Sequence, residues 1–421
     1  MTRDHIAVRM RERVARYGDR VALRYERGGE WRGISWREMG ERADAVARAL
    51  VELGLPEQSN VAICSPNRPE WTLADLGAQS ARCVSVPIYP TSSPAQMAYI
   101  LKETEAAVLF AGGAGELEKA LAAAPLCPAL KKVVVFDPEV RAEGDLACGF
   151  EALLELGRGS ASAPEVEARL ARSGPEDLLT IIYTSGTTGE PKGVLLTHAN
   201  LLAAFAAHDG RLLDPNEGDL SLCFLPLSHV FERCWTYYAL HTGMTNHYLE
   251  DPTKVAEALQ AVRPTIMCCV PRLFEKVHAG LHGLLQEAPP LKRKLFHWSI
   301  GVGKQAAVNR RAGVRLPSPL SLKHRIADAL VLRKIRGIFG GRVKFLPCAG
   351  APLAPELEEF FDAAGLFITH GYGLTETSAT VSCHEVRNYR PGTVGKPLPG
   401  GVVQLAAGGE ILGRAGPDPA L

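Results

Sequence analysis

Between residues 35 and 182, short apolar runs alternate with helix-length segments, and this alternation constrains the fold more than any other feature of the chain. Ser35-Trp36-Arg37-Glu38 has the form of a capping box; Met39, Ala43, Val46, Leu50 and Leu53 continue on one helical stripe, and Gly54 stops it. Apolar runs at 61–64, 84–89, 107–110 and 133–136 read as strands, and 69–82 reads as a helix. A further helix follows Pro90-Thr91-Ser92-Ser93-Pro94. Parallel strands need a crossover between them, so strands separated by helices predict a mostly parallel sheet. The expected fold class is α/β: layered, mostly parallel sheets with flanking helices in two similar subdomains. Residues 145–174, rich in small side chains, read as a surface excursion before the sheet resumes at Leu178.

At 421 residues the chain exceeds one ordinary core. The expected divisions are 1–180, 181–375 and 376–421. Helices are expected at 199–207, 255–262 and 355–363, with strands at 221–225, 265–270, 343–346 and 366–369. Residues 278–344 carry Lys292-Arg293-Lys294, Arg310-Arg311, Arg333-Lys334 and further cations against only Glu287 and Asp328, with leucines between them. Basic amphipathic helices result, either a solvated face or a contact for anionic lipid, where each cation contributes about 1 kcal/mol. Beyond Val381 turn residues separate short β-prone runs such as 402–405, the start of a small antiparallel β subdomain.

The chemistry concentrates in Tyr183-Thr184-Ser185-Gly186-Thr187-Thr188-Gly189-Glu190-Pro191-Lys192-Gly193, directly after the apolar run 178–182. Glycine allows sharp bends and close approach, hydroxyls and bared N–H groups donate hydrogen bonds, and lysine adds a point charge. The combination suits a polyphosphate. It is not a Walker A loop, because Gly193 rather than Ser or Thr follows Lys192; a kinase-like P-loop enzyme is disfavoured on that ground. A second group, His370-Gly371-Tyr372-Gly373-Leu374-Thr375-Glu376-Thr377, offers an aromatic face for a planar base. It also holds a threonine suited to a phosphate oxygen and a carboxylate of the hard-oxygen type magnesium takes. Gly350-Ala351-Pro352-Leu353 is a small-residue turn after a strand. Leu225-Pro226-Leu227-Ser228-His229-Val230-Phe231-Glu232-Arg233 places a histidine beyond another strand.

These segments resemble the signatures of the AMP-forming acyl-CoA synthetases, and the segments at 225–233 and 270–277 with the basic block are similar to the long-chain fatty acyl group. The resemblance implies that ATP and a fatty acid give an acyl-adenylate and pyrophosphate, and that the acyl group then passes to coenzyme A. By the same resemblance Thr184, Ser185, Gly186, Thr187, Thr188, Gly189 and Lys192 hold phosphates. Gly350, Ala351, Pro352, Gly371, Tyr372, Gly373, Leu374 and Thr375 form the rest of the ATP site. Glu376 with Thr184 holds Mg²⁺, and Lys192, His229, Thr375 and Glu376 are the catalytic group. His229, Phe231 and Trp235 are expected at the acyl site; the family's tunnel-gating aromatic aligns with Arg233 here. Glu232 is the one acid of that segment, with Arg233 expected to take its charge, which favours an uncharged acyl chain over an amino acid. Two alternatives stay open: a catalytically dead nucleotide- or acyl-binding remnant, and an adenylating enzyme that loads a carrier protein.

The family pattern continues beyond Gly408-Gly409-Glu410-Ile411 with a ribose-binding aspartate, a hinge and a C-terminal domain carrying a catalytic lysine. Nothing here matches those, so the expectation is a chain lacking that domain, binding ATP weakly and forming adenylate slowly. Pro391-Gly392-Thr393-Val394-Gly395 resembles a further signature whose glycines serve turns. A net charge of +1 argues against a nucleic-acid partner. Ten scattered cysteines without a C-x-x-C pair, no apolar leader and no run of about 20 apolar residues fit a cytoplasmic protein. Peripheral membrane contact through the basic block and a homodimer complete the expected partners.

Overall fold

The computed structural model describes residues 4–142, 144–184, 190–387 and 389–414. The chain divides into two compact units, one of residues 1–205 and 223–252, the other of residues 206–222 and 253–421.

The first unit is organised on a seven-stranded sheet. Its strands run, edge to edge, Ala147–Gly149, Lys132–Val135, Val108–Ala111, Asn60–Cys64, Val84–Ile88, Leu178–Thr184 and Lys192–Thr197. All neighbours are parallel except the last pair, an antiparallel hairpin in which Thr184 faces Lys192. The four predicted strands before residue 140 are therefore present, each within a residue or two of its expected limits. The central strands are apolar at nearly every position because helices cover both faces, as parallel sheets require. Helix Trp36–Glu52 buries the predicted stripe of Met39, Ala43, Val46 and Leu50. Its cap is half the expected box: Ser35 Oγ accepts from Glu38 N at 3.1 Å, while the Glu38 carboxylate turns instead to Arg42 at 2.7 Å.

Residues 145–174 are not an excursion. They form the edge strand and two helices, Phe150–Gly159 and Ala163–Arg172, with Phe150, Leu153, Leu154, Val166 and Leu170 buried. The small residues that gave a loop-like composition make close packing possible. A Cβ on Gly157 would come within 1.8 Å of the Ala45 carbonyl oxygen on the helix beneath.

In the second unit, strands Leu346–Cys348 and Ile368–Tyr372 pair in parallel, with Cys348 opposite His370. Ser382–Cys383 and Lys396–Pro397 extend this sheet antiparallel. Residues 265–270 do not form the predicted strand; only isolated bridges join Ile266 to Phe345 and Cys269 to Cys348. The partner strand is short, and Pro271 opens a helix that takes the chain away. The basic block is helical, as expected: Pro271–Gln286, Pro290–Arg311, then Ser318–Ala327, a π turn Asp328–Leu332 and Arg333–Ile338 in succession. Val402–Leu405 and Ile411–Arg414 make an antiparallel hairpin, the small β element predicted at this end. No helix among the described residues is long and apolar enough to cross a membrane.

Candidate active site

The phosphate-loop segment joins the two strands of the antiparallel hairpin at the carboxyl edge of the seven-stranded sheet, where open α/β sheets place ligands. Ser185, Gly186, Thr187, Thr188 and Gly189 lie outside the described residues. The flanks are described: Thr184 is half-buried, and Lys192 is exposed with no ion pair among the described residues. The hairpin is braced from the side by Tyr99, whose hydroxyl donates to the Pro191 carbonyl at 3.2 Å and whose ring meets Tyr183 edge-on. Among the described residues nothing engages this exposed cation, which leaves it available to an anion.

His229 is the N-cap of helix Val230–Thr242, its Nδ1 accepting from Phe231 N at 3.1 Å. That bond leaves Nδ1 unprotonated and the exposed Nε2 edge available. Phe231 is half-buried on the first turn, and Trp235 is buried against Tyr238 with ring centroids 5.7 Å apart. Arg233 does not take the charge of Glu232, as the sequence led us to expect. It turns to Asp75, donating from Nε at 3.0 Å and Nη2 at 2.8 Å, and reaches Thr180 Oγ1 from Nη1. Asp75 also accepts from Tyr237 Oη at 2.8 Å and from Ser85 Oγ. Glu232 is fully buried with no ion-pair partner among the described residues, and burial pushes its carboxyl up to about 8, so it is neutral at pH 7. Arg233, at the position that aligns with the family's gating aromatic, is thus occupied by Asp75, and the gate falls to Phe231 or Trp235 as the sequence suggested.

In the second unit, the strand Ile368–Tyr372 extends further than predicted, so His370, Gly371 and Tyr372 belong to it. The two glycines around Tyr372 answer to the protein's own backbone. A Cβ on Gly371 would sit 2.7 Å from the Ser382 carbonyl oxygen, and one on Gly373 only 1.6 Å from that of Ala379. Tyr372 is half-buried between them. Leu374 and Glu376 are exposed, Thr375 is buried, and Thr375–Thr377 form a 3₁₀ turn closed by a bond from Leu374 N to Thr377 Oγ1 at 2.9 Å. Glu376 has no ion-pair partner among the described residues. Gly350 has φ +90, and nothing crowds it closer than 3.9 Å, so the turn Gly350-Ala351-Pro352 is open on its outer side. Because the two strands are parallel and in register, this turn and the Tyr372–Glu376 segment leave the sheet at the same edge.

No cluster of three or more His, Cys, Asp or Glu suited to a metal occurs among the described residues. The exposed carboxylate of Glu376, unpaired among the described residues, still fits Mg²⁺, which takes one or two carboxylates and completes its shell with phosphates and water.

The model of the family described as AMP-binding enzyme matches residues 10–414. The chain belongs to that family. It is 35% identical over 395 residues to a long-chain-fatty-acid–CoA ligase of Mycobacterium tuberculosis, covering 92% of this chain and 63% of that protein. It is 34% identical over 386 residues to the peroxisomal long chain acyl-CoA synthetase 6 of Arabidopsis thaliana, covering 90% of this chain and 52% of that one. The chain therefore spans only part of the length of these relatives. Among solved structures, the N-terminal domain of FACL13 from Mycobacterium tuberculosis superposes with a TM-score of 0.69 at 20% identity, covering 98% of this chain and 86% of that one. An anthranilate CoA ligase bound to anthranoyl-AMP gives 0.72 at 19%, covering 98% and 68%. The structural likenesses establish the fold.

Two residues of this family member escaped the sequence reasoning. Asn67 clamps the turn before His229: its amide donates to the Leu225 carbonyl at 2.7 Å and accepts from Leu227 N at 3.0 Å. Asp75 anchors Arg233. Asp75 sits between Leu73-Ala74 and Leu76 in the helix Pro69–Ser80, a legible signal, since a buried acid demands a partner.

Proposed function

We propose that the chain is the adenylate-forming part of a long-chain fatty acid–CoA ligase. The observation that carries this is the common edge from which the open Gly350 turn and the Tyr372–Glu376 segment emerge, the latter holding a half-buried tyrosine and an exposed glutamate with no ion pair among the described residues. The relatives' names supply the acid and the thiol.

In this reading the fatty acid carboxylate oxygen attacks the α-phosphorus of ATP. The bond to the β-phosphate oxygen breaks, and pyrophosphate leaves. Such transfers depend on positioning and charge stabilisation. Lys192 and the hydroxyls from Thr184 to Thr188 hold the departing phosphates. Tyr372 and the Gly350-Ala351-Pro352 turn hold adenine, and Thr375 bonds a phosphate oxygen. Glu376 and Thr184 are the residues that would hold Mg²⁺, which would offset phosphate charge. In the second half-reaction the thiol of coenzyme A attacks the acyl carbonyl and AMP leaves. His229 borders the acyl carboxylate, while Phe231 and Trp235 line the acyl site. With Arg233 paired to Asp75 and Glu232 neutral, that segment offers no free charge to a polar side chain, which favours a hydrocarbon. The basic helical segment is read as a peripheral membrane contact.

The test is exchange of labelled pyrophosphate into ATP. Palmitate or oleate is expected to support exchange, slow but dependent on the acid, and Lys192→Ala to lower it by about 100-fold or more. No exchange with any fatty acid, or equal exchange without one, would contradict the proposal.

A further inference from the structure

We propose that Asn67 is a positioning residue for His229, acting through the backbone of the turn that carries it. Asn67 lies between the strand Asn60–Cys64 and the helix Pro69–Ser80 and is 6% exposed. Its side chain spends donors and acceptor alike on one stretch of chain 156 to 160 positions later. Nδ2 donates to the Cys223 carbonyl at 3.3 Å and to the Leu225 carbonyl at 2.7 Å, while Oδ1 accepts from Leu227 N at 3.0 Å. Those groups belong to the end of the strand Leu220–Cys223 and the turn beyond it, where a sheet ladder no longer supplies partners.

The turn passes this order on to the histidine. The Pro226 carbonyl accepts from His229 N at 3.0 Å, and the His229 carbonyl accepts from Arg233 N at 3.2 Å in the first helical turn. Leu227, Ser228 and Val230 are buried, and His229 alone of these four is exposed. The imidazole is therefore displayed from a buried base that one amide holds on its N-terminal side. Reactions that depend on placement lose rate steeply when a group is shifted by about 1 Å. This inference rests on the reading that His229 borders the acyl carboxylate, and adds what sets the histidine's place. Aspartate is the sharp probe, because it keeps the shape of Asn67 and the bond from Leu227 N but turns an oxygen on two carbonyls.

The experiment compares Asn67→Asp and Asn67→Ala with the unsubstituted 421-residue chain in oleate-dependent exchange of pyrophosphate into ATP. kcat should fall about 10- to 100-fold with KM for ATP unchanged. In a His229→Ala background the same substitutions should cost no more than about twofold, since residues acting through one another are not additive. Thr72→Val is the control. It removes the 2.6 Å Thr72–Tyr248 hydrogen bond from the helix that follows Asn67, and should lower the melting temperature while leaving exchange unchanged. A second readout needs no turnover. In chain labelled with ¹⁵N-histidine, the His229 ring nitrogens, assigned by His229→Gln, should shift in Asn67→Asp and stay in place in Thr72→Val. Losses that add in the double variants, an equal loss in Thr72→Val, or His229 nitrogens unmoved by Asn67→Asp would overturn the proposal. Absence of exchange in the unsubstituted chain contradicts the ligase reading instead, and the nitrogen shifts then decide this inference by themselves.

Discussion

Arg233 and Asp75 form a two-pronged ion pair in the interior of the first unit, with Nη2 2.8 Å from Oδ1 and Nε 3.0 Å from Oδ2. The pair joins two helices to the strand that runs out to Thr184, because Arg233 also reaches Thr180 on that strand. Gln79, one turn beyond Asp75, donates to the Leu179 carbonyl at 3.0 Å. The floor beneath the hairpin strands is therefore polar and buried, tied together by Asp75, Arg233, Thr180 and Gln79.

Removing one partner leaves the other charged and buried. Asp75→Ala or Arg233→Ala should each destabilise the first unit by about 3–5 kcal/mol. The double variant Asp75→Ala/Arg233→Met should lose clearly less than the sum. Urea midpoints followed by tryptophan fluorescence measure this, since Trp71 and Trp235 both belong to that unit.

Acid should destabilise the protein through a stacked histidine pair. His5 and His198 are buried with ring centroids 3.6 Å apart, and His198 Nδ1 accepts from Ile6 N. Burial lowers His5 from 6.5 to about 4 and holds His198 well below its ordinary value. The unfolded chain takes up these protons near pH 6.5 and the folded chain does not, so the pair's contribution to stability is full above 6.5 and is lost as pH drops towards 4. Melting temperature against pH should show that limb, and His198→Gln should flatten it.

Glu232 works in the opposite direction. Its folded carboxyl titrates near 8 and its unfolded one near 4.5, so stability falls as pH rises between those values. From pH 6.5 to 8 the loss is about 2 kcal/mol for one proton. Glu232→Gln should abolish that fall and steepen the acid limb between pH 6.5 and 4.5, where Glu232 opposes the histidines, as a paired pH series of thermal melts would show.

The legibility of the chain followed its physical signals. Val61, Val84, Val108 and Val133 lie in buried parallel strands, and a strand buried on both faces announces itself as an unbroken apolar run. Residues 145–174 misled because composition sees small residues and cannot see that Gly157 lies against Ala45. The motifs at 184–192 and 371–376 were visible from their residue types. The reason for Gly371 and Gly373 was not, because the backbone they make room for comes from residues 379–382. Arg233 was assigned the wrong partner because Asp75 is 158 positions away, beyond any local pattern.

Gly373→Ala should accordingly act through the fold of its turn: a Cβ there meets a carbonyl that cannot yield. ATP affinity should collapse together with thermal stability. Gly350→Ala meets no neighbour and carries only the strain of φ +90, a cost of about 1–2 kcal/mol, so its melting point should fall less. Differential scanning calorimetry with and without ATP separates the two.

The pocket proposed for the acyl-adenylate can be probed without turnover, by calorimetric titration of the chain with sulfamoyl adenosines carrying a hexadecanoyl or an acetyl group. The hexadecanoyl compound should bind at least about 100-fold more tightly, since each buried methylene contributes about 0.8 kcal/mol. Tyr372→Ala should weaken both compounds alike. Equal affinity for the two, or no binding of either, would contradict the assignment of this chain to long-chain acyl activation.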